Sequence, residues 1–153
     1  MNNLVKQLLA SASYRFEKVV EDAQPEFANF SAGHEGRTAL QLLNHMVNVL
    51  DEADAILTER DRVVWQSHSW EVGKQQFRFV MQRLLDFMQS SRVDEELLEI
   101  LIHGPVSDLF GHIGQLTMMR RLSGKPINKV NYIKASVSLR QTSPMGNAVR
   151  TSG

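Results

Sequence analysis

The chain has 153 residues, and its 17 lysines and arginines balance 17 aspartates and glutamates, so its formal charge is zero. That length suits one domain with a full core, and the charge balance argues against nucleic acid or an anionic membrane as partner, since both call for a basic excess. With no cysteine, disulfides, thiolate metal ligands and a cysteine nucleophile are excluded, and a reducing cytoplasm is the expected compartment.

The N-terminal stretch MNNLVKQLLASASYRF is amphipathic but lacks the unbroken apolar core of a secretion signal. No window approaches the ~18 apolar residues of a membrane-spanning helix. Four long segments carry the helical period. The first runs from about Asn3 to Asp22, with Leu4, Leu8, Ala12, Phe16 and Val19 on one stripe and Leu9 and Val20 beside it. Pro25 and the glycines of SAGHEGR break the pattern. Thr38 with Gln41 three residues on predicts a capping box, and Leu42, Met46, Val49, Ala53 and Ile56 carry the second helix to about Leu57. A charged turn, TERDRVVWQSH, precedes a third helix that opens at Ser69 and has Phe77, Val80, Met81, Leu84 and Met88 as its core stripe.

A short helix follows from Glu95 to about Ile102, with Asp94 as N-cap and Val93 and Leu98 placed as a hydrophobic staple. HGP then predicts an interruption, with Pro105 in the first turn of the last helix, where its missing amide would have no partner to lose. That helix ends at Arg120 and Arg121, with Gly124 and Pro126 just beyond. The expectation is an all-α fold: an antiparallel four-helix bundle over residues 1–124 with one additional short helix. Residues 125–153 are expected to form an irregular, extended C-terminal tail, packed on the same domain through Ile127, Val130, Tyr132 and Ile133.

Chemistry concentrates in the last helix. Taking His112 as reference, Asp108 falls at about −40° and Leu116 at about +40° on the helix, so two polar groups share a face with leucines and a methionine. Spacing of i and i+4 lets one helix offer two ligands to one ion. A third would come from another helix, and His45, in the middle of LLNHMVNVL, is the best candidate. Two imidazoles and a carboxylate suit zinc or a similar divalent ion and leave a coordination position for water or substrate. Such an ion would lower the pKa of a bound water or thiol, or polarise a carbonyl. Glu52, two turns from His45 and about 10 Å along the axis, is too far to share the ion and is the candidate proton acceptor.

The blander readings are an ordinary helical Asp–His pair, worth roughly 0.2–0.5 kcal/mol, and a carboxylate favoured by the dipole in the first turn of its helix. His34, His68 and His103 fall in loops or a junction and read as solvent-facing or local caps. Ser107 adjoins Asp108 in sequence and cannot face it on a helix. There is no GxSxG elbow, P-loop or GxGxxG run. The seven methionines read as core packing.

TALQLLNHMVNVLDEAD, followed some sixty residues later by GHIGQLTMMRRLSGKP, resembles the DinB/YfiT-like superfamily of metal-binding four-helix bundles over roughly Leu4 to Gly124; NYI in the tail also resembles one branch. The resemblance implies a homodimer, with the two ion-bearing helices adjacent in each chain. It implies one ligand from the second helix and two from the last, spaced H-x3-H. His45 matches the first position and His112 the last, while Asp108 stands where the middle histidine is usual. Relatives of the mycothiol-dependent maleylpyruvate isomerase type carry a carboxylate there. The change to aspartate shifts the preference toward zinc or a harder ion and away from nickel. Implied activities are those of a thiol-dependent transferase or isomerase, with a low-molecular-weight thiol as cofactor, or of a hydrolase, all on small molecules. The alternative is a metal-free helical homodimer serving as a binding or scaffold module, suggested by a last helix that is apolar on several sides: Leu116 and Met119, then Val106, Phe110 and Ile113, then Met118 and Leu122.

Overall fold

In a computed structural model of the chain, which describes residues 1–135, Val5, Leu9, Ala12, Phe16, Val19 and Val20 form the buried face of α1 (Asn2–Val20). The stripe thus lies slightly to one side of the expected one: Leu4 is 52% exposed and Val5 takes its place inside. α2 (Ala39–Thr58) opens with the expected capping box, the Thr38 side chain accepting from the Gln41 amide while the Gln41 side chain accepts from Thr38 N–H. α3 (Trp70–Ser90) is capped by Ser69, whose hydroxyl accepts from the Val72 amide. Every regular element among the described residues is helical; the one isolated bridge pairs Ser31 with Thr38.

α4 (Glu95–Leu101) starts on Asp94, whose carboxylate accepts from the Glu96 amide, and both Val93 and Leu98 enter the core. The expected interruption at HGP does not occur. The backbone passes from α4 through a single π-helical turn, Ile102–Val106, into α5 (Ser107–Leu122) with helical dihedrals throughout. Pro105 lies inside that turn and not at the first turn of a new helix. A widened turn accommodates a proline, because the amide that Pro105 lacks and the clash of its ring fall where the ladder is already re-registered. The Ser107 hydroxyl donates to the Ile102 carbonyl and helps to close the turn. One extra residue rotates everything downstream by about 100°. That rotation decides which side chains of α5 meet α2.

The four long helices form a ring of neighbours: α1 packs on α3, α3 on α2, α2 on α5, and α5 on α1. One continuous core fills the ring, with Phe16 stacked on Phe77 at 3.7 Å between centroids and Met46, Leu50, Met81 and Leu84 fully buried around them. α3 comes close to α2 at Gly73, where an added Cβ would lie 2.8 Å from a Leu43 methyl. Phe27, carried by the 3-10 turn Pro25–Asn29, plugs one end of the bundle edge-on to Trp70 at 5.3 Å. Arg120, 4% exposed, donates to the Val19 and Glu21 carbonyls and so satisfies the C-terminal end of α1.

The segment between α2 and α3 is held by one edge of α2. Asn48 exchanges hydrogen bonds with both backbone groups of Trp65, Asn44 does the same with Ser67, and Asp51 accepts from the Val63 amide. Beyond Gly124, whose φ of +86° supplies the left-handed residue that ends the helix, residues 125–135 are irregular. Ile127, Val130 and Tyr132 are half-buried, with Tyr132 under the Arg15 guanidinium at 3.8 Å. Ile133 is 96% exposed and packs on nothing, contrary to expectation. The rest of the expected tail, residues 136–153, lies outside the described residues.

Candidate metal centre

His45 stands one residue after Asn44, about 100° further round α2, and so is turned from the clamped segment toward α5. On α5, His112 lies among Leu109, Ile113 and Leu116 on the buried side. Asp108, one turn before it, emerges at the surface with its side chain 53% exposed. The structure brings these three together. His45 Nε2 is 3.0 Å from His112 Nε2, Asp108 Oδ1 is 3.2 Å from His112 Nε2, and Asp108 Oδ2 is 4.0 Å from His45 Nε2. The two rings meet edge to face with centroids 4.6 Å apart. Donor atoms about 2.0–2.2 Å from a tetrahedral ion lie roughly 3.3–3.6 Å from one another. The imidazole–imidazole separation and the nearer carboxylate contact are just shorter than that; the 3.2 and 4.0 Å contacts end on different Asp108 oxygens, and with one atom from each residue the three lie within 4.8 Å of one another. Among the described residues, this is the group of three such side chains able to hold a metal ion.

Protonation separates a donor set from a packed polar cluster. His112 Nδ1 lies 3.1 Å from Gln115 Oε1. A carbonyl oxygen only accepts, so Nδ1 carries the hydrogen, and in the neutral ring the lone pair falls on Nε2. That lone pair faces an Asp108 carboxylate oxygen and the His45 ring nitrogen. A His45 that carries its hydrogen on Nε2 donates it to His112 Nε2 at 3.0 Å and satisfies the pair; a His45 with its lone pair on Nε2 completes a set of three acceptors, which calls for a cation or an added proton between them. A metal-binding histidine commonly donates its other N–H to a carbonyl, which fixes the tautomer and the ring plane. Gln115 fills that role here. Its place in HIGQ, three residues after His112 and hence on the same face, was the available signal.

Burial, then the charge of Arg37 and the neighbouring His112, hold the His45 pKa below the ordinary imidazole value, against the opposing pull of Asp108 and Glu52. His45 is therefore neutral, the form that ligates, at a lower pH than a free histidine. The dipole argument for Asp108 loses its basis. Because the helix continues from α4, the amides near Asp108 are already bonded within the helix and offer no free N-terminal charge.

Glu52 is not part of the group. It makes a 3.7 Å ion pair with Arg62, and both side chains are about half exposed, at 46% and 53%. It does share a cleft of about 680 Å³ with Asp108, Val49, Ile56 and the π-turn residues His103 and Pro105. His34, His68 and His103 are exposed and stand outside the donor group. The Ser107 hydroxyl is spent on the Ile102 carbonyl. Of the two tryptophans, Trp70 is core, while Trp65 is half-buried and donates to Asp51.

No family model, no curated protein and no solved structure matches the chain. Among the described residues no helix is long and apolar enough to cross a membrane. Fold and site together define a class: an all-helical protein whose second and last long helices bring together a His–Asp–His group able to hold a metal ion.

Proposed function

We propose that this chain is a metal-dependent enzyme of DinB-like fold, in which His45, Asp108 and His112 hold one divalent ion, zinc in preference to nickel. The convergence of ligand atoms of His45, Asp108 and His112 from two helices, with His112 Nδ1–H directed to Gln115 so that Nε2 is left to ligate, carries the reading. A bound ion of this kind supplies Lewis acidity toward a water, a low-molecular-weight thiol or a carbonyl. The protein's own part is to fix the donors, to keep His45 neutral, and to place Glu52 as proton acceptor in the cleft that Asp108 also lines. The reaction is S-transfer, isomerisation or hydrolysis of a small molecule, run in a cytoplasmic homodimer.

The test is metal analysis of untagged protein after incubation with zinc or nickel and removal of excess. About one ion per chain is expected, since three preformed ligands bind tightly. Less than about 0.2 ion per chain, unchanged in His112→Ala, ends the proposal.

A second reading, a metal-free homodimer serving as a binding or scaffold module, draws on a separate observation. Val72 and Phe79, two turns apart on one face of α3, are 44% and 56% exposed, and Phe79 lies 5.9 Å from the ring of Trp65, next to Val64 at 82% exposure. Exposed apolar side chains of this kind suit a second copy. Under that reading a chelator leaves the thermal midpoint unchanged, whereas loss of a bound ion lowers it.

A further inference from the structure

The donor group lies between two hollows of opposite character. On one side is the cleft with the carboxylates of Asp108 and Glu52. On the other, a groove of about 330 Å³ runs between the 31–37 loop and the C-terminal half of α5. Its walls are Leu42, Met118, Met119 and Leu122, and its polar groups are Arg37 and Gln115. Met118 and Leu122 are 54% and 58% exposed. Gln115 ties the groove to the centre through His112, and Arg37 is close enough to act on His45 by its charge.

Arg37 forms no ion pair or hydrogen bond among the described residues. The loop that presents it is held in place all the same. Gly33, His34 and Glu35 are all left-handed, with φ of 95°, 52° and 57°. Ser31 Oγ accepts from the Gly33 amide and donates to the Gly36 carbonyl. Two L-residues in that conformation need surroundings that impose it. The result is an exposed guanidinium carried by a held loop at the mouth of an apolar groove, next to a proposed reaction centre, without a carboxylate of its own.

We propose that this groove is the substrate side of the centre and that it takes a small apolar carboxylic acid, with the carboxylate paired to Arg37 and the hydrocarbon body laid along Met118, Met119 and Leu122. The proposal rests on the reading of His45, Asp108 and His112 as a metal centre. A guanidinium matches a carboxylate in shape and charge, and flexible methionines conform to varied hydrocarbon shapes. The opposite cleft, with Glu52 and Asp108, repels the same acid and is left to the water or thiol whose proton Glu52 would accept, so the groove would hold the acid and the cleft its nucleophile. A second copy is the poorer occupant. A two-fold contact through this face would bring the Arg37 guanidinium of both chains into one interface.

The test uses the full chain, metal-free and zinc-loaded, with carbon-13 methyl-labelled methionine followed by NMR, and sodium octanoate and octylamine as probes. Expected are saturable shifts at Met118 and Met119 with octanoate at about one per chain, none with octylamine, and affinity at least about tenfold weaker in Arg37→Gln, as loss of a charge-assisted bond requires. Leu122→Gln weakens octanoate as well, from the hydrocarbon end. Equal binding of octylamine, undiminished binding in Arg37→Gln, or methionine shifts that follow protein concentration and not octanoate, as a second copy would produce, overturns the assignment. Zinc content measured on the same samples keeps the two readings apart. Full zinc uptake without octanoate binding sinks the groove alone; octanoate bound at Arg37 without zinc uptake supports the groove and removes the metal centre.

Discussion

Near the C-terminal end of α2, Asp51 and Asp54 are 0% and 1% exposed, and they share the guanidiniums of Arg60 and Arg83 at 2.5–3.1 Å, with Trp65 Nε1 donating to Asp51 at 3.0 Å. Some six residues earlier on the same helix, His45 meets Asp108 and His112 at 3.0–4.0 Å, and no lysine or arginine belongs to the group. Both clusters are polar, both join α2 to a neighbouring element, and both are partly shielded from water. In the first, charged donors answer charged acceptors, although Asp54 Oδ1 and Arg83 Nε have no hydrogen-bond partner, and the cluster fastens the segment after α2 to the bundle. In the second, two imidazoles and a carboxylate face one another with no cationic side chain in the group, a set that a bound cation would neutralise. Side-chain proximity alone does not mark a functional site; what separates the two clusters is that the second gathers ligating groups with no lysine or arginine among them.

The comparison predicts that each cluster fails in its own way. The largest expected effect belongs to the closed one. Asp51→Ala removes the carboxylate that Arg60, Arg83, Trp65 and the Val63 amide all use, and should cost about 3 kcal/mol of folding free energy, since the Val63 and Trp65 donors lose their acceptor while Arg60 and Arg83 keep only Asp54. Denaturant unfolding checks it, and zinc uptake at His45 should persist. A loss below about 1 kcal/mol would mean that water replaces the carboxylate freely.

The same residue sets a pH dependence. Burial pushes the Asp51 pKa up, but the hydrogen bonds from Arg60, Trp65 and Val63 outweigh it and hold the value below its ordinary 3.8. In the acid range the unfolded chain therefore binds the proton more readily than the folded one. The contribution of Asp51 is present above the ordinary carboxylate pKa and fades as pH falls through the lower folded value. Asp51→Asn should flatten that acid limb of the stability curve.

Of intermediate size is the effect of zinc. At free zinc about 100 times its dissociation constant, the wild-type chain should gain about 2.7 kcal/mol by mass action, and His112→Ala should gain nothing. Without metal, the same variant should lose only about 1 kcal/mol, the scale of one hydrogen bond. The two clusters would then be separated by experiment: Asp51 governs folding without metal, and His112 governs metal with little effect on folding. If His112→Ala unfolds the metal-free protein, the histidine is structural and the contrast fails.

Periodicity in the sequence was enough for the helices, for the Thr38–Gln41 and Asp94 caps, and for the pairing of Asp108 with His112, because each depends on contacts within a turn or two of one helix. The π turn was hidden, since HGP is as good a helix break as it is a widened turn, and the choice is made by what α5 packs against. The buried Asp51–Asp54 cluster was missed for a related reason. Its partners Arg60 and Arg83 come from a turn and another helix, and the turn reads as an ordinary charged loop until its arginine is seen folding back. Arg37 gave no local signal at all. Its meaning comes from α5, some eighty residues away in sequence.

The smallest expected effect is at Glu52, and there the contrast is sharpest. Its pair with Arg62 spans 3.7 Å between side chains about half in water, so Glu52→Gln should change stability by less than about 0.5 kcal/mol. Zinc stoichiometry should also hold, because Glu52 lies outside the donor triangle. A role as proton acceptor needs only that the carboxylate face the cleft beside Asp108. Turnover of a substrate, once found, should then fall by about 100-fold or more, the range a positioned base contributes, in a protein that folds and loads metal as before. Unchanged turnover in Glu52→Gln would leave Glu52 as a surface ion pair and hand the proton to another group in the cleft.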